Sequence, residues 1–273
     1  MTTSDTSVQS RNVEVNGQTL HYKQWPESGP PLIFLHGVTS SLNSWNLIAP
    51  AFASEYSVMA FDLRGHGQSS KPERGYAWAD HYAADIVAFV KEHMSERVIL
   101  VGHSLGAMVT PPVAVGASDK VRAIVMEDPP AFAPSEDRQH TGNRFRPVLA
   151  VKRLPPEMRV ETLMETMGLT REAARLRADN LEAMAEQVLT ELIEGGNAYR
   201  PDDWFPSVSC PSLVILGHPE RGGVVAWDDR ARLRRLLPDA KVVEWDDVGH
   251  GIHAEQPERF IAEVKAFLSG LSG

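Results

Sequence analysis

The run Arg97-Val-Ile-Leu-Val-Gly-His-Ser-Leu-Gly106 constrains this chain more than any other stretch. An apolar, β-branched segment of strand length leads into Gly102-x-Ser104-x-Gly106 and then Ala107, where a helical pattern opens. Strand, sharp turn and helix in that order predict that Ser104 is held on a strained bend and exposed at the top of a sheet. A Cβ at 102 or 106 would press on the neighbouring strand or helix, which accounts for both glycines. A plain glycine-rich connection with an incidental serine would read the same over five residues, so the rest of the chain has to separate the two.

After a polar tail over 1–10, residues 12–15 and 18–25 flank Asn16-Gly17, a strong hairpin signal. Pro31–Leu35 is a continuous apolar run suited to a strand buried on both faces. It ends in His36-Gly37-Val38, and a helical pattern follows over 42–54. The next strand, 56–63, enters a tight loop from Asp62 to Ser69, in which Asp62 and Arg64 knit the turn to its neighbours and His66 is structural. A helix over 78–94 would bury Tyr82, Ile86, Phe89 and Val90. The helix after Ser104, over 105–116, should end or kink early at Pro111-Pro112, and 121–126 is another buried strand.

Strands alternating with helices predict an α/β fold, a mostly parallel doubly wound sheet with ligands outside the carboxyl ends of its strands. Between 129 and 205 no strand of that sheet fits. Helical patterns over 157–167 and 170–193, the second capped by Thr170 and stopped by Gly195-Gly196, predict an inserted helical cap. Alternation resumes with Ser212–Leu216, a helix over 226–237, a strand over 241–245 and a closing helix over 256–268. The expected division is a core of 1–130 with 206–273, and a cap of 131–205.

The balance of 27 basic against 36 acidic residues, a net charge of −9, argues against nucleic acid as a partner. The N-terminus lacks a signal pattern and no apolar run reaches membrane-spanning length, so a soluble cytoplasmic protein without a membrane partner is expected. Cys210 is the only cysteine, which excludes an intrachain disulfide, and its place before Pro211 suits packing. No Cys/His cluster has zinc spacing, and nothing in the sequence asks for a metal or cofactor.

A serine on such a bend needs a base, an acid to orient the base, and donors for an oxyanion. His250, between Gly249 and Gly251 after the last strand, is the expected base. Two carboxylates fall at strand ends in the order serine, acid, histidine: Asp128 and Glu220. Asp246 and Asp247 lie too near His250 along the chain to reach its far side. The amides of Val38 and Leu105, one after a strand-ending glycine and one opening the helix, are the expected oxyanion hole.

His36-Gly37, Asp62-x-Arg64-Gly65-x-Gly67-x-Ser69, Gly102-x-Ser104-x-Gly106 and Gly249-His250 with Glu255-x-Pro257-Glu258, in that order, resemble the α/β-hydrolase fold family over nearly the whole chain. The resemblance implies an eight-stranded sheet and a Ser-His-acid triad. In most members of that family the acid follows the strand after the cap, the place of Glu220. In haloalkane-dehalogenase-like and some lactone-hydrolysing relatives it follows the strand just past the serine, the place of Asp128, and the sequence leans that way. Those dehalogenases and the epoxide hydrolases use an aspartate nucleophile, so serine disfavours both activities. The expected function is hydrolysis of a small apolar ester or lactone through an acyl-enzyme, by a monomer or homodimer. Carbon–carbon bond hydrolysis, other cofactor-free triad chemistry, or a non-catalytic small-ligand receptor on the same fold are the alternatives.

Overall fold

The structure, a computed structural model, describes residues 8–26, 29–132, 144–195 and 199–271. Its eight strands are β1 (Gln9–Val15), β2 (Gln18–Gln24), β3 (Pro31–Leu35), β4 (Ser57–Phe61), β5 (Val98–His103), β6 (Val121–Glu127), β7 (Ser212–Leu216) and β8 (Lys241–Glu244), in the order β1-β2-β4-β3-β5-β6-β7-β8. Asn16 and Gly17, at φ 49° and 68°, form the two-residue hairpin turn, because that turn needs positive φ at both central positions. β2 is antiparallel to β1 and β4, and every later pairing is parallel. Strand β1 takes in Gln9 and Ser10, expected as tail. They pair with Gln24 and Lys23, and the Ser10 hydroxyl lies 2.7 Å from His21 Nε2.

Each parallel strand feeds two cores. Ile33, Leu35, Leu100, Ile124 and Met126 face one side, while Leu32, Phe34, Ile99, Val101 and Val125 face the other. This is the period-two alternation of a sheet covered on both faces, and it explains strands that read as unbroken apolar runs. The first side is covered by α1 (Ala84–His93) and α2 (Leu105–Gly116), and its core continues into the helices between β6 and β7. The second is covered by Trp45, Ile48 and Phe52 and by the closing helix.

Several local expectations are corrected. Residues 42–54 form two 3₁₀ turns, Leu42–Trp45 and Ala49–Ala51, in place of a helix. Pro50 cannot donate a backbone bond, yet Leu42, Trp45, Ile48 and Phe52 are still buried at near-helical spacing. Before α1 the chain makes a π-helical turn, Trp78–Ala83. Helix α2 runs unbroken through Pro111-Pro112. The Ala107 carbonyl orphaned by Pro111 accepts a hydrogen bond from Thr110 Oγ1 at 3.0 Å. Arg64, expected to knit its loop to a neighbour, does so by pairing with Asp85 through two contacts, Nε–Oδ2 at 2.6 Å and Nη2–Oδ1 at 2.5 Å.

Between β6 and β7 lie α3 (Arg146–Lys152), α4 (Pro156–Met167), α5 (Arg171–Ala183) and α6 (Glu186–Ile193), then a short turn at Pro201–Trp204. Helix α3 has no counterpart in the sequence reading. The single helix expected over 170–193 is two, because at Met184-Ala185 the backbone turns extended and the Ala185 N–H bonds the Gly65 carbonyl at 2.7 Å. Thr170 Oγ1 accepts from Ala173 N as expected, and Gly195 takes φ 83°, while Gly196 lies outside the described residues. The chain closes with α7 (Trp227–Leu236) and α8 (Pro257–Ser269). Among the described residues no helix is long and apolar enough to cross a membrane. A groove of about 730 Å³ passes the amino-terminal ends of β3 and β4, between Arg11 and Glu96.

Candidate active site

The sequence-derived residues converge at the opposite, carboxyl ends of the parallel strands. Ser104 follows β5 directly, at φ 53° and ψ −111°, a backbone conformation that costs a residue with a Cβ on the order of 1–3 kcal/mol. The surroundings leave no other path. A Cβ on Gly102 would stand 2.3 Å from the Gly106 carbonyl carbon, and one on Gly106 would stand 2.1 Å from the Leu35 oxygen. Backbone bonds pin both sides of the bend: Ser104 N–H to the Glu127 carbonyl at 3.0 Å, and Gly106 N–H to the His36 carbonyl at 3.0 Å.

Asp128 follows β6 and is the second strained residue here, at φ 41°. It is fully buried. Its carboxylate accepts from Gly217 N–H at 3.3 Å, Val224 N–H at 2.9 Å and His250 Nδ1 at 2.7 Å. An Nδ1–H committed to Asp128 leaves the His250 Nε2 lone pair free to take a proton. Glu220 is placed elsewhere, exposed on the 3₁₀ turn Pro219–Arg221, with no bond to His250.

His250 is tied to the residue before Ser104, one the sequence reading passed over. The ring of His103, the neighbour of Ser104, lies 4.7 Å from that of His250, and His103 Nε2 donates to the His250 carbonyl at 3.0 Å. Burial drives the His103 pKa down to about 3, so this ring is neutral with its proton on Nε2. A second missed pair lies behind the first. His253 donates from its backbone N–H at 2.8 Å and from Nδ1 at 2.8–2.9 Å to Glu127, which is fully buried. Burial opposes the Glu127 charge, but the hydrogen bonds from His253 outweigh it and lower the carboxyl pKa. The His253 ring also stacks on Trp45, with centroids 4.3 Å apart. The adjacent acids Glu127-Asp128 and the spacing His250-x-x-His253 were the available signals.

The amides of Val38 and Leu105 have no acceptor among the described residues, as an oxyanion hole requires. The Val38 loop is fixed from below. His36 Nδ1–H donates to the Gly37 carbonyl at 2.8 Å and its Nε2 accepts from Leu63 N–H at 3.1 Å, a neutral tautomer consistent with a pKa that burial lowers to about 3. His66 Nε2 lies 2.6 Å from the Val38 carbonyl, which bears out its structural role. Asp62 accepts from His21 Nδ1 and from the amides of Leu42 and Gln68. Burial alone would raise its pKa, but those bonds bring it to about 2. Cys210 is partly buried and burial raises its thiol pKa to about 11, as suits a packing residue. Among the described residues no group of three or more His, Cys, Asp or Glu side chains could hold a metal ion.

Residues 32–263 match the model of a family described as the alpha/beta hydrolase family. The chain is 29% identical to an N-formylmaleamate deformylase of Pseudomonas putida, over 96% of this chain and 97% of that one. It is 28% identical to a 2-(acetamidomethylene)succinate hydrolase of Mesorhizobium japonicum, over 95% of each. The crystal structure of an E-2-(acetamidomethylene)succinate hydrolase superposes with a TM-score of 0.82 at 27% identity, covering 97% of this chain and all of that one.

Proposed function

The chain belongs to the alpha/beta hydrolase family, and from that premise we propose that it is a serine hydrolase cleaving a carboxylic ester or lactone through Ser104, His250 and Asp128. In this reading Ser104 Oγ attacks the carbonyl carbon as His250 Nε2 takes its proton, and Asp128 steadies the imidazolium. The amides of Val38 and Leu105 bind the developing oxyanion. His250 returns the proton to the leaving oxygen, and a water activated by the same imidazole then hydrolyses the acyl-enzyme. The helices of residues 131–205 act as the cap over this cleft. The observation that carries the proposal is the 2.7 Å His250–Asp128 bond, set beside a serine on a strained bend.

A second reading keeps the triad but cleaves an acyl–nitrogen bond. It is favoured by the two relatives above, whose names describe a deformylase and a hydrolase of an acetamido compound.

The test is Ser104→Ala with a p-nitrophenyl ester and, in parallel, an N-formyl amide. Turnover should fall on the order of 10⁴- to 10⁶-fold with circular dichroism unchanged. A fluorophosphonate should label the wild-type protein at Ser104. Retained turnover, or a label elsewhere, would remove the assignment. The ratio of the two rates in wild-type protein chooses between the ester and amide readings.

A further inference from the structure

The loop that carries Val38 is gripped from two sides. From the core, the Gly37 carbonyl accepts from His36 Nδ1 at 2.8 Å and from Ser40 N–H at 3.1 Å. That carbonyl and the Val38 N–H belong to one peptide group, and in a trans peptide they point opposite ways. Two donors on the oxygen therefore fix the direction of the Val38 N–H. Because one of the two is the amide of Ser40, that direction depends on how the chain leaves the turn.

The chain leaves through Ser41, which is held by a residue of the helical segment between β6 and β7. Ser41 precedes the 3₁₀ turn Leu42–Trp45, a place where a serine hydroxyl ordinarily accepts from the amides of the turn it opens. It makes no such bond. The Leu42 N–H goes to Asp62 Oδ1 at 3.0 Å, and the Ser41 hydroxyl donates to Asn180 Oδ1 at 2.9 Å, across 139 positions of sequence. Asn180 lies in the last turn of α5, just before the extended link at Met184-Ala185. That link is fastened to the core by the Ala185 N–H on the Gly65 carbonyl at 2.7 Å, and Lys152 Nζ, at the end of α3, holds the Leu181 and Met184 carbonyls at 2.5 and 2.6 Å. The end of α5 is thus a braced point, and Ser41 is bonded to it.

We propose that Asn180 is a positioning residue for the oxyanion hole: by holding Ser41 it keeps the Gly37–Ser40 turn closed and the Val38 N–H aimed at the oxyanion. The segment between β6 and β7 then contributes to the rate of the chemical step, beyond covering the cleft. The inference rests on Ser104 being the nucleophile and on the Val38 N–H serving its oxyanion. That charge exists only on the way through the reaction, so an amide turned aside slows turnover and spares substrate binding.

The test is steady-state hydrolysis of p-nitrophenyl hexanoate, together with inhibition by a trifluoromethyl ketone of the same chain length, whose adduct with Ser104 places an oxyanion in the hole. Asn180→Leu removes the acceptor, Ser41→Ala removes the donor, and Asn180→Asp keeps an acceptor oxygen. Each of the first two should lose about 10- to 100-fold in kcat with KM within about twofold, and the inhibition constant of the ketone should rise by a similar factor. Asn180→Asp should recover most of that loss, and the Ser41→Ala, Asn180→Leu double variant should be no slower than the slower single one. If Asn180→Leu fails to fold, Ser41→Ala reads the same bond from its other end. Unchanged kcat, a loss carried by KM, an unmoved ketone constant, additive losses, or an Asp variant as slow as the Leu variant would each overturn the inference while leaving the hydrolase reading intact. Wild-type protein that neither turns over the ester nor binds the ketone would strike at the hydrolase reading itself, and the inference would fall with it.

Discussion

Glu127 and His253 form a buried carboxylate–imidazole pair directly behind Asp128 and His250. The two acids are neighbours in sequence at the end of β6, and the two histidines are three residues apart after β8, His250 on the loop and His253 in the short helix Ile252–Glu255. Because Glu127 also takes the His253 backbone N–H at 2.8 Å, it anchors the loop that carries His250. Its own backbone carbonyl takes the Ser104 N–H. One residue therefore touches both the elbow and the loop that supplies the imidazole.

Glu127→Gln should consequently do two things. Leaving the buried His253 donors without their carboxylate costs about 1–3 kcal/mol, so Tm should fall by several degrees. In protein that remains folded, ester turnover should drop at least about tenfold in kcat with little change in KM, because His250 loses its support. A variant with normal kcat would show that the pair serves stability alone.

Asp128→Asn and Glu220→Gln should differ widely. Without the Asp128 charge the imidazole loses its tautomer and its counter-ion, and a loss on the order of 10⁴-fold in kcat is expected. Glu220 is exposed and bonds to no part of His250, so its variant should stay within about twofold. Steady-state kinetics on one ester decides the matter, and equal losses would reopen the acid.

Gly217→Ala should impair activity from outside the triad. The added Cβ would lie 1.9 Å from the Gly249 carbonyl oxygen, and Gly217 N–H itself donates to Asp128. The collision pushes apart the two loops that hold Asp128 and His250, and a displacement of about 1 Å at a reacting group costs about 100-fold. Unaltered turnover with a lowered Tm would place the effect in folding only.

Acid should unfold this protein earlier than its carboxylates alone would require. His36 and His103 are held neutral, with pKa values lowered from 6.5 to about 3, so the unfolded chain binds more protons between those limits. Stability therefore falls as pH drops through that window. Each tenfold difference in proton affinity is about 1.4 kcal/mol, and the two rings together account for several kcal/mol. Asp62, lowered from 3.8 to about 2, adds a contribution that is present above about pH 4 and lost towards pH 2. Urea midpoints measured from pH 8 to 4 should decline steadily below about 6.5, and a flat profile down to pH 4.5 would contradict the buried-neutral assignment.

Features legible in the sequence were those set by a few adjacent residues. The Asn16-Gly17 hairpin, the strand lengths and the Ser104 bend are local because positive φ, apolar runs and glycine clearance are decided within one turn of chain. Errors arose where a partner lay far away. The 170–193 pattern reads as one helix until the Gly65 carbonyl draws the Ala185 amide out of it. The exception is Pro111, which reads as a stop although the adjacent Thr110 repairs the orphaned carbonyl.

By itself, then, the sequence determined the layered α/β architecture, the strained serine and the histidine that follows the last strand. The choice of Asp128 over Glu220 beside that histidine belongs to tertiary structure, because sheet order alone brings together residues 122 positions apart. The Glu127–His253 anchor belongs there too. A charge reveals itself as paired or stranded only once packing has settled what lies within a few ångströms of it.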